Sequence, residues 1–296
     1  MQHHPSGVSA QLWPNVRSRN RPMTKSTPSH WVSAVSDITP EDIFIRGYPM
    51  QQLIGRLPFS AIAFLLIRDR IPTPGEARMM DVILSSILDY ALQKSGTVAA
   101  RVIVSVNPRM TAGLSAAMLG AGEYAVSPED TGRFISDGLA TWKGSGIPVE
   151  EHATGLVAEL RAAKRRVPGF GHPVFRGTDP RAERLRVIAI ENGVWGEANE
   201  WYAAVHRAFQ AAANKPDLVM NDVGMLAGIM TQMGFTPAEM TGLALLSTFP
   251  GLVAHISEEL QSGAINRIIP DDQVTYARVR RDIAADAAAV GWPLDK

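Results

Sequence analysis

The residue types best suited to chemistry are concentrated between positions 164 and 190. A basic cluster at 164–166 leads into a loop in which two glycines flank Phe170, and the loop delivers His172. Asp179-Pro180 then predicts a helix start, because Asp is a favoured N-cap and Pro at the first helical position loses no hydrogen bond. Arg181 falls in the first helical turn, where exposed backbone N–H groups favour a bound carboxylate or phosphate. Together these groups suit a polyanionic ligand.

A purely structural interpretation stays open for each of these residues. A histidine after a glycine, in a loop before a capped helix, is also typical of a hydrogen-bonded turn. Likewise, cations that close an amphipathic segment complement the helix dipole and need no ligand.

Composition excludes several classes of function. The chain has 296 residues, 46% of them hydrophobic, with zero formal net charge and no cysteine. This length allows a large core, and the balanced charge gives no reason to expect a nucleic-acid partner. A disulfide framework and a thiolate metal site are excluded, and no histidine pair has metal-ligand spacing apart from the terminal His3-His4, so we expect no metal. We also expect no signal peptide, no membrane partner and a cytoplasmic location.

The elements that must position the chemical residues are predicted to be helices. Four segments share the order Ser or Thr, Pro, any residue, acid, which predicts a helix N-terminus with a capping box. They begin at Thr39, Thr73, Ser127 and Thr236. Between them apolar residues recur at helical spacing. We expect residues 1–28 to be disordered, because they are rich in Ser, Pro, Arg and Asn and show little periodicity.

The string Gly169-Phe-Gly-His-Pro-Val, followed by Thr178-Asp-Pro-Arg-Ala-Glu-Arg-Leu185, resembles the signature loop of the citrate synthase superfamily. Pro173 stands where the synthases have Arg, and this looks more like the citryl-CoA lyase branch. The resemblance extends from Trp31 to about Tyr276. It implies an all-α fold, with a large helical domain at 29–126 and 216–296. A smaller domain at 127–215, carrying the loop, would close over a cleft.

The resemblance also implies roles for individual residues. His172 would contact the substrate hydroxyl or the corresponding carbonyl, and Arg181 would hold a substrate carboxylate. Coenzyme A, as the acyl-CoA substrate, would lie along Lys164, Arg165, Arg166, Gly169, Phe170 and Gly171. The other histidines that could draw attention, His152, His206 and His255, receive no role.

Three positions depart from the family pattern. Relatives commonly have Asp-His-Gly where this chain has Asp89-Tyr90-Ala91, and the synthases have His-Gly-Gly where it has no histidine in 119–124. The position that aligns with the catalytic Asp is Val223, and the acid is its neighbour Asp222. One residue on a helix rotates a side chain by about 100°. Two interpretations of Asp222 therefore stay open. Either a local shift of the backbone brings its carboxylate to the catalytic position, or it is a capping or surface carboxylate.

Three functions stay in play. The first is cleavage of a 3-hydroxy-3-carboxyacyl-CoA such as citryl-CoA to acetyl-CoA and a 2-oxo acid such as oxaloacetate. The second is a diverged enzyme acting on a different acyl substrate, and the third is a non-catalytic CoA-binding module. A homodimer is also expected, because segments 110–118 and 242–249 are rich in small and apolar residues on more than one face.

Overall fold

The computed structural model describes residues 32–89, 91–122, 125 and 128–292. These residues form twelve α-helices and three short β-strands, so the predicted helical fold class is confirmed. The strands are β1 (Ser36–Ile38), β2 (Ile43–Ile45) and β3 (Tyr48–Pro49). The helices are α1 (Met50–Leu53), α2 (Phe59–Arg68), α3 (Pro74–Ser85), α4 (Ser95–Val106), α5 (Met110–Leu119), α6 (Glu129–Ser145), α7 (Val149–Ala162), α8 (Pro180–Glu191), α9 (Glu197–Ala213), α10 (Asp222–Gln232), α11 (Pro237–Ser262) and α12 (Ile283–Ala289). A 3₁₀ turn covers Asp271–Gln273.

Packing divides the described chain into two compact units. The first comprises the described residues of 1–87 and 127–247, and the second comprises those of 88–126 and 248–296. The predicted large and small domains divide the chain differently, at 126/127 and 215/216. That division concerns which segments close over a cleft, and it stays a prediction. The predicted disordered tail at 1–28, Tyr90 and Ser127 lie outside the described residues.

The first unit is built around the aromatic side chains of α9. Trp201 and Tyr202 are almost completely buried. Trp201 lies against the bare backbone of Gly138 on α6, where an added Cβ would come within 2.2 Å of the indole ring. The indole N–H of Trp201 donates to Nδ1 of His152 on α7 over 3.2 Å. These contacts fix α6, α7 and α9 to one another.

The capping signals at Thr73 and Thr236 are confirmed, and the signal at Thr39 fails. The capping box at Thr73 is present, with reciprocal hydrogen bonds to Glu76, and the pair Thr236 and Glu239 makes the same two bonds at the start of α11. The prediction of a helix after Thr39 is wrong. Its hydroxyl does accept from the backbone N–H of Asp42 over 3.2 Å, but those bonds close a turn between β1 and β2. The β-branched and aromatic residues of β2 favour a strand there.

Helix α11 has 26 residues and is long and apolar enough to cross a membrane by length and composition. The expectation of no membrane partner rests on the lack of an uninterrupted apolar run of about 18 residues, and α11 is not such a run, because polar residues interrupt it. A core helix passes the same test, which makes the indication weak. Within the second unit, Leu252 and Ile256 of α11 are buried with Ala100 and Val104 of α4.

Candidate active site

The loop that carries His172 is attached along its length to the segment before α10. The backbone N–H of Gly171 donates to the carbonyl of Val219 over 2.7 Å, and the N–H of Gly177 donates to that of Asp217 over 2.7 Å. Asn221 makes two further bonds: its backbone N–H to the carbonyl of Gly169, and its side-chain amide to the carbonyl of Gly171, both at 3.0 Å. The loop and the N-terminus of α10 therefore hold each other in place.

The glycines of the loop are required by this close approach. Gly169 has φ +78, and a Cβ there would lie 2.3 Å from the hydroxyl oxygen of Tyr202 and 2.7 Å from Cα of Gly224. A Cβ on Gly224, in the first turn of α10, would meet the carbonyl oxygen of Gly169 at 2.6 Å. Two glycines thus allow the backbones of the loop and the helix to touch.

Phe170 faces into the protein from the same loop. Its ring stacks on Tyr202 with ring centroids 5.1 Å apart and packs against His206 at 4.8 Å and Phe209 at 6.0 Å. Burial lowers the pKa of His206 despite the bond that its ring makes to the carbonyl of Leu218, at 2.8 Å. The Phe170 ring therefore anchors the loop, and its predicted contact with coenzyme A stays a prediction.

His172 has one ring nitrogen fully engaged. The backbone N–H groups of Val174 and Phe175 both donate to Nδ1 over 3.1 Å. A neutral imidazole accepts at only one nitrogen, so the proton is assigned to Nε2. The ring stacks on that of Phe175, with centroids 4.5 Å apart, and Arg176 donates to the carbonyl of His172 over 2.7 Å. These contacts fix an imidazole that presents an N–H donor.

Arg181 is held by two carboxylates. Its Nη2 donates to Oδ2 of Asp179 over 3.0 Å and its Nη1 lies 2.8 Å from Oδ2 of Asp222. The Asp179 side chain is completely buried, caps α8 through the Arg181 backbone N–H at 2.9 Å, and lies on the Nε edge of the guanidinium at 3.3 Å. Burial alone would raise the pKa of Asp179, but its hydrogen bonds to Arg181 lower it. Burial would likewise lower the pKa of Arg181, and the two carboxylates raise it.

Asp222 occupies the first position of α10, directly after the N-cap Asn221. The Asn221 side chain accepts from the backbone N–H of Gly224 over 2.9 Å and so starts the helix at this point. Asp222 reaches Arg181, whereas Val223, the residue that aligns with the family's acid, is 38% exposed. Asp222 is therefore the residue of this pair that contacts Arg181. Its catalytic role stays a prediction.

His172, Arg181 and Asp222 form one cluster, which we call the triad. Nε2 of His172 lies 3.4 Å from Nη2 of Arg181. Because both atoms carry hydrogens, this approach brings two donors side by side instead of forming a bond between them. An oxygen of a carboxylate or hydroxyl can accept from both donors at once, while the Asp222 carboxylate lies on the other side of the guanidinium. The arrangement can therefore bind an oxygen-rich anion next to a group able to exchange a proton.

The remaining predicted binding residues lie on the surface. Lys164, Arg165 and Arg166 are all exposed at the end of α7, with Lys164 in a left-handed conformation at φ 54. Gly171 also has a positive φ, of 87. These cations are accessible to an anionic ligand, and their assignment to coenzyme A stays a prediction. Within the described ranges, no group of three or more His, Asp or Glu side chains has the spacing of a metal site.

Among the described residues, the three histidines without a predicted role all have hydrogen-bond partners. His152 accepts from Trp201, and His206 lies beneath Phe170. In the second unit, Nε2 of His255 lies 3.0 Å from Oδ1 of Asp89, and its side chain is 20% exposed. The sequence gives His255 no role and does not reveal this partner, because Asp89 is distant in sequence.

Sequence reasoning missed three residues that organise the triad. Asn221 joins the loop to α10, Phe175 supports the His172 ring, and Asp179 fixes the Arg181 guanidinium. A signal existed for Asp179, which was identified as an N-cap two residues before Arg181. The ion pair between Asp179 and Arg181 is not predictable in this way, because it depends on the direction of the Arg181 side chain.

Comparisons with known proteins identify the family. The family profile described as "Citrate synthase, C-terminal domain" matches residues 70–269. The solved structure of a citryl-CoA lyase from Hydrogenobacter thermophilus is similar, with a TM-score of 0.80 and 29% identity, over 88% of this chain and 100% of that chain.

Two curated relatives are citrate synthases. The citrate synthase of Synechocystis sp. is 22% identical over 242 residues, which cover 78% of this chain and 58% of the relative. Citrate synthase 2 of Bacillus subtilis is 25% identical over 201 residues, which cover 67% of this chain and 50% of the relative. The chain thus spans about half the length of these relatives. The profile match covers more than half of the chain, and the helical fold is of the same kind. The protein therefore belongs to the citrate synthase family.

Proposed function

We propose that the protein cleaves a 3-hydroxy-3-carboxyacyl-CoA of the citryl-CoA type to acetyl-CoA and a 2-oxo acid such as oxaloacetate. The observation that carries the proposal is the convergence of the His172 Nε2–H, the Arg181 guanidinium and the Asp222 carboxylate in one cluster. The similarity to the Hydrogenobacter thermophilus citryl-CoA lyase over all of that chain supports cleavage over condensation.

Arg181 is assigned to the carboxylate of the acid half of the substrate. The Nε edge of its guanidinium is taken by Asp179, and one hydrogen of Nη1 faces Asp222. One hydrogen of Nη1 and one of Nη2 are left, and we assign them to the two oxygens of a substrate carboxylate. Asp179 and Asp222 keep the fork in a fixed orientation before the substrate arrives, which reduces the ordering cost of binding.

His172 is assigned to the oxygen that changes from hydroxyl to carbonyl. Its Nε2–H lies beside Nη2 of Arg181, so the two donors address neighbouring oxygens of one substrate. With Nδ1 engaged by two backbone N–H groups, the imidazole acts as a donor and not as the base. A fixed donor of this kind stabilises charge that develops on oxygen during bond cleavage.

Asp222 is assigned to the proton. It accepts the hydrogen of the tertiary hydroxyl as the oxygen forms a carbonyl, and the adjacent carbon–carbon bond breaks with its electron pair going to the acetyl-CoA enolate. Asp222 then returns the same proton to the enolate carbon, which gives acetyl-CoA and the 2-oxo acid. One carboxylate thus completes a cycle in which no proton is gained or lost, and a positioned acid–base group of this kind contributes about 10²–10⁴ in rate.

The test is to incubate the protein with citryl-CoA and to quantify acetyl-CoA and oxaloacetate. We expect both products in equal amounts, and Asp222→Asn should lower their rate of formation by about 10²–10⁴. If the protein binds CoA in a thermal-shift titration but releases neither product, cleavage of citryl-CoA is refuted, and the diverged enzyme and the non-catalytic module are the functions left. Wild-type turnover by Asp222→Asn would refute the assignment of the proton transfer to Asp222.

We also propose that two copies of the chain pair through the second unit. Helix α4 buries Ala100 and Val104 against its own unit, while Val98, Val102 and Val106 on its other faces are 45%, 40% and 59% exposed. Apolar side chains exposed on a helix that is already packed on one side are typical of an interface. Light scattering at micromolar concentration should give twice the mass of one chain, and the mass of a single chain would overturn the pairing.

A further inference from the structure

A groove between α3 and α8 opens from the triad. On α3 it is lined by Arg78, Val82 and Ser85, with Ser86 directly after the helix, and the spacing of these residues places them along one helix face. On α8 it is lined by Arg181, Arg184, Leu185 and Ile188, also at helical spacing, and Asp222 closes one end. Its volume is about 440 Å³, within the range of small-molecule sites, which is roughly 300–1,000 Å³.

The groove is continuous with the site of the proposed reaction. Arg181 and Asp222 belong both to its lining and to the triad, where they pair at 2.8 Å. A substrate carboxylate bound to Arg181 would therefore have the rest of its carbon chain directed along the groove.

The walls combine an apolar surface with two cations. Leu185 and Ile188 are buried and Val82 is half-buried, so their side chains form a surface for methylene groups. Arg78 and Arg184 are exposed, and among the described residues no carboxylate lies at ion-pair distance from either. This distinguishes them from Arg181, whose charge is shared by Asp179 and Asp222.

The two serines add little donor capacity. The hydroxyl of Ser85 donates to the carbonyl of Asp81 over 2.8 Å, and that of Ser86 donates to the carbonyl of Ile83 over 2.7 Å. Their donors are used within α3. The groups left to recognise a ligand are thus the apolar surface and the guanidinium groups of Arg78 and Arg184.

We propose that this groove selects the acid half of the substrate: a 2-oxo acid whose methylene chain ends in a second carboxylate bound by Arg78 and Arg184. The inference rests on the proposed function for the orientation of the acid. It goes further in naming the substrate class as dicarboxylic acids with a chain longer than that of oxaloacetate. Arginines that pair with no carboxylate of the described residues favour a ligand carboxylate at the far end, and an apolar end group would leave them unpaired.

The test is calorimetric titration of the full-length protein with three acids. 2-Oxoadipate has the long chain and both carboxylates, 2-oxohexanoate has the same chain without the second carboxylate, and oxaloacetate has the short chain. We expect 2-oxoadipate to bind at least about tenfold more tightly than either of the others, because a charge-assisted hydrogen bond is worth about one factor of ten.

Variants assign the preference to the two arginines. Arg184→Met and Arg78→Met should each weaken 2-oxoadipate by about tenfold and leave 2-oxohexanoate within about twofold. Arg186→Met is the matched control, since Arg186 lies on another face of α8 and pairs with Glu183 at 2.7 Å. Circular dichroism confirms that each variant is folded. Equal affinity for the two long acids, or tightest binding of oxaloacetate, overturns the inference, as does 2-oxoadipate binding that both Arg78→Met and Arg184→Met leave unchanged.

Failure of this inference is separable from failure of the proposed function. If the protein cleaves citryl-CoA but shows no charge-dependent preference among the acids, the proposed function holds and the assignment of the groove is refuted. Charge-dependent binding of 2-oxoadipate would support the groove assignment and refute the proposed function if the protein cleaved neither citryl-CoA nor the 3-hydroxy-3-carboxyacyl-CoA that would release 2-oxoadipate.

Discussion

The side-chain amide of Asn221 donates to the carbonyl oxygen of Gly171 over 3.0 Å, while its side-chain oxygen accepts from the backbone N–H of Gly224. One residue thus fixes the loop next to His172 and also starts the helix that begins with Asp222. The distance between the two predicted catalytic residues depends on this residue, which itself has no chemistry to perform.

Replacing Asn221 should separate these two roles. Ser at this position still accepts from the backbone of α10 but is too short to reach Gly171, so Asn221→Ser should lose about 1 kcal/mol of unfolding free energy. Asn221→Ala also loses the cap and should lose about 2 kcal/mol. Both should lower kcat by a similar factor, because both release the loop. Urea unfolding and turnover measure the two effects, and wild-type turnover by Asn221→Ser would contradict the loop assignment.

Gly169 should be far less replaceable than a glycine in open space. Gly169→Ala places a Cβ 2.3 Å from the Tyr202 hydroxyl at φ +78, so it combines backbone strain with a clash. We expect a loss of roughly 2–5 kcal/mol in unfolding free energy. Gly177→Ala is the matched control: its φ is +72, but no atom lies within 4 Å of the added Cβ. It should lose only about 1–2 kcal/mol. Equal losses in the two variants would contradict the close approach of loop and helix.

The pair of Asp179 and Arg181 should make stability depend on pH. Since the folded-state pKa of Asp179 is lowered, the pair stabilises the protein above the pKa of an unfolded aspartate, about 3.9. That contribution is lost as pH falls through the folded-state pKa. Arg181→Met should therefore reduce the unfolding free energy at pH 7 by on the order of 1–3 kcal/mol, a range that allows for the half-exposed arginine. The difference from wild type should shrink below about pH 4, and a pH-independent difference would refute the pairing.

Much of the fold follows from local signals in the sequence. The Asp179-Pro180 start of α8 and the Thr73 box of α3 are predicted correctly, because these caps use side chains within the same turn. The signal at Thr39 fails because it is equally local and does not report on strand pairing. A hydroxyl that bonds to the backbone N–H groups ahead of it closes a turn as well as it caps a helix, and the pairing of β1 with β2 decides between the two.

The site is predictable only in part. The loop string identifies His172 and Arg181 by their types and neighbours, but the sequence leaves open whether Asp222 or the position of Val223 matters. The hydrogen bonds of Asn221 set where α10 begins, and Asp222 at that start pairs with Arg181, while its catalytic role stays a prediction. The groove at Arg78 and Arg184 is likewise hidden, because it depends on α3 and α8 facing each other across about a hundred residues of chain.

The central claim is that His172 serves the reaction as a fixed hydrogen-bond donor. The most direct measurement is kcat for citryl-CoA cleavage by wild type and His172→Ala at saturating substrate, with His152→Ala as a histidine control away from the triad. We expect His172→Ala to fold, as judged by circular dichroism, and to lose about 10²–10³ in kcat, with the control close to wild type. A kcat for His172→Ala equal to that of wild type would contradict the account.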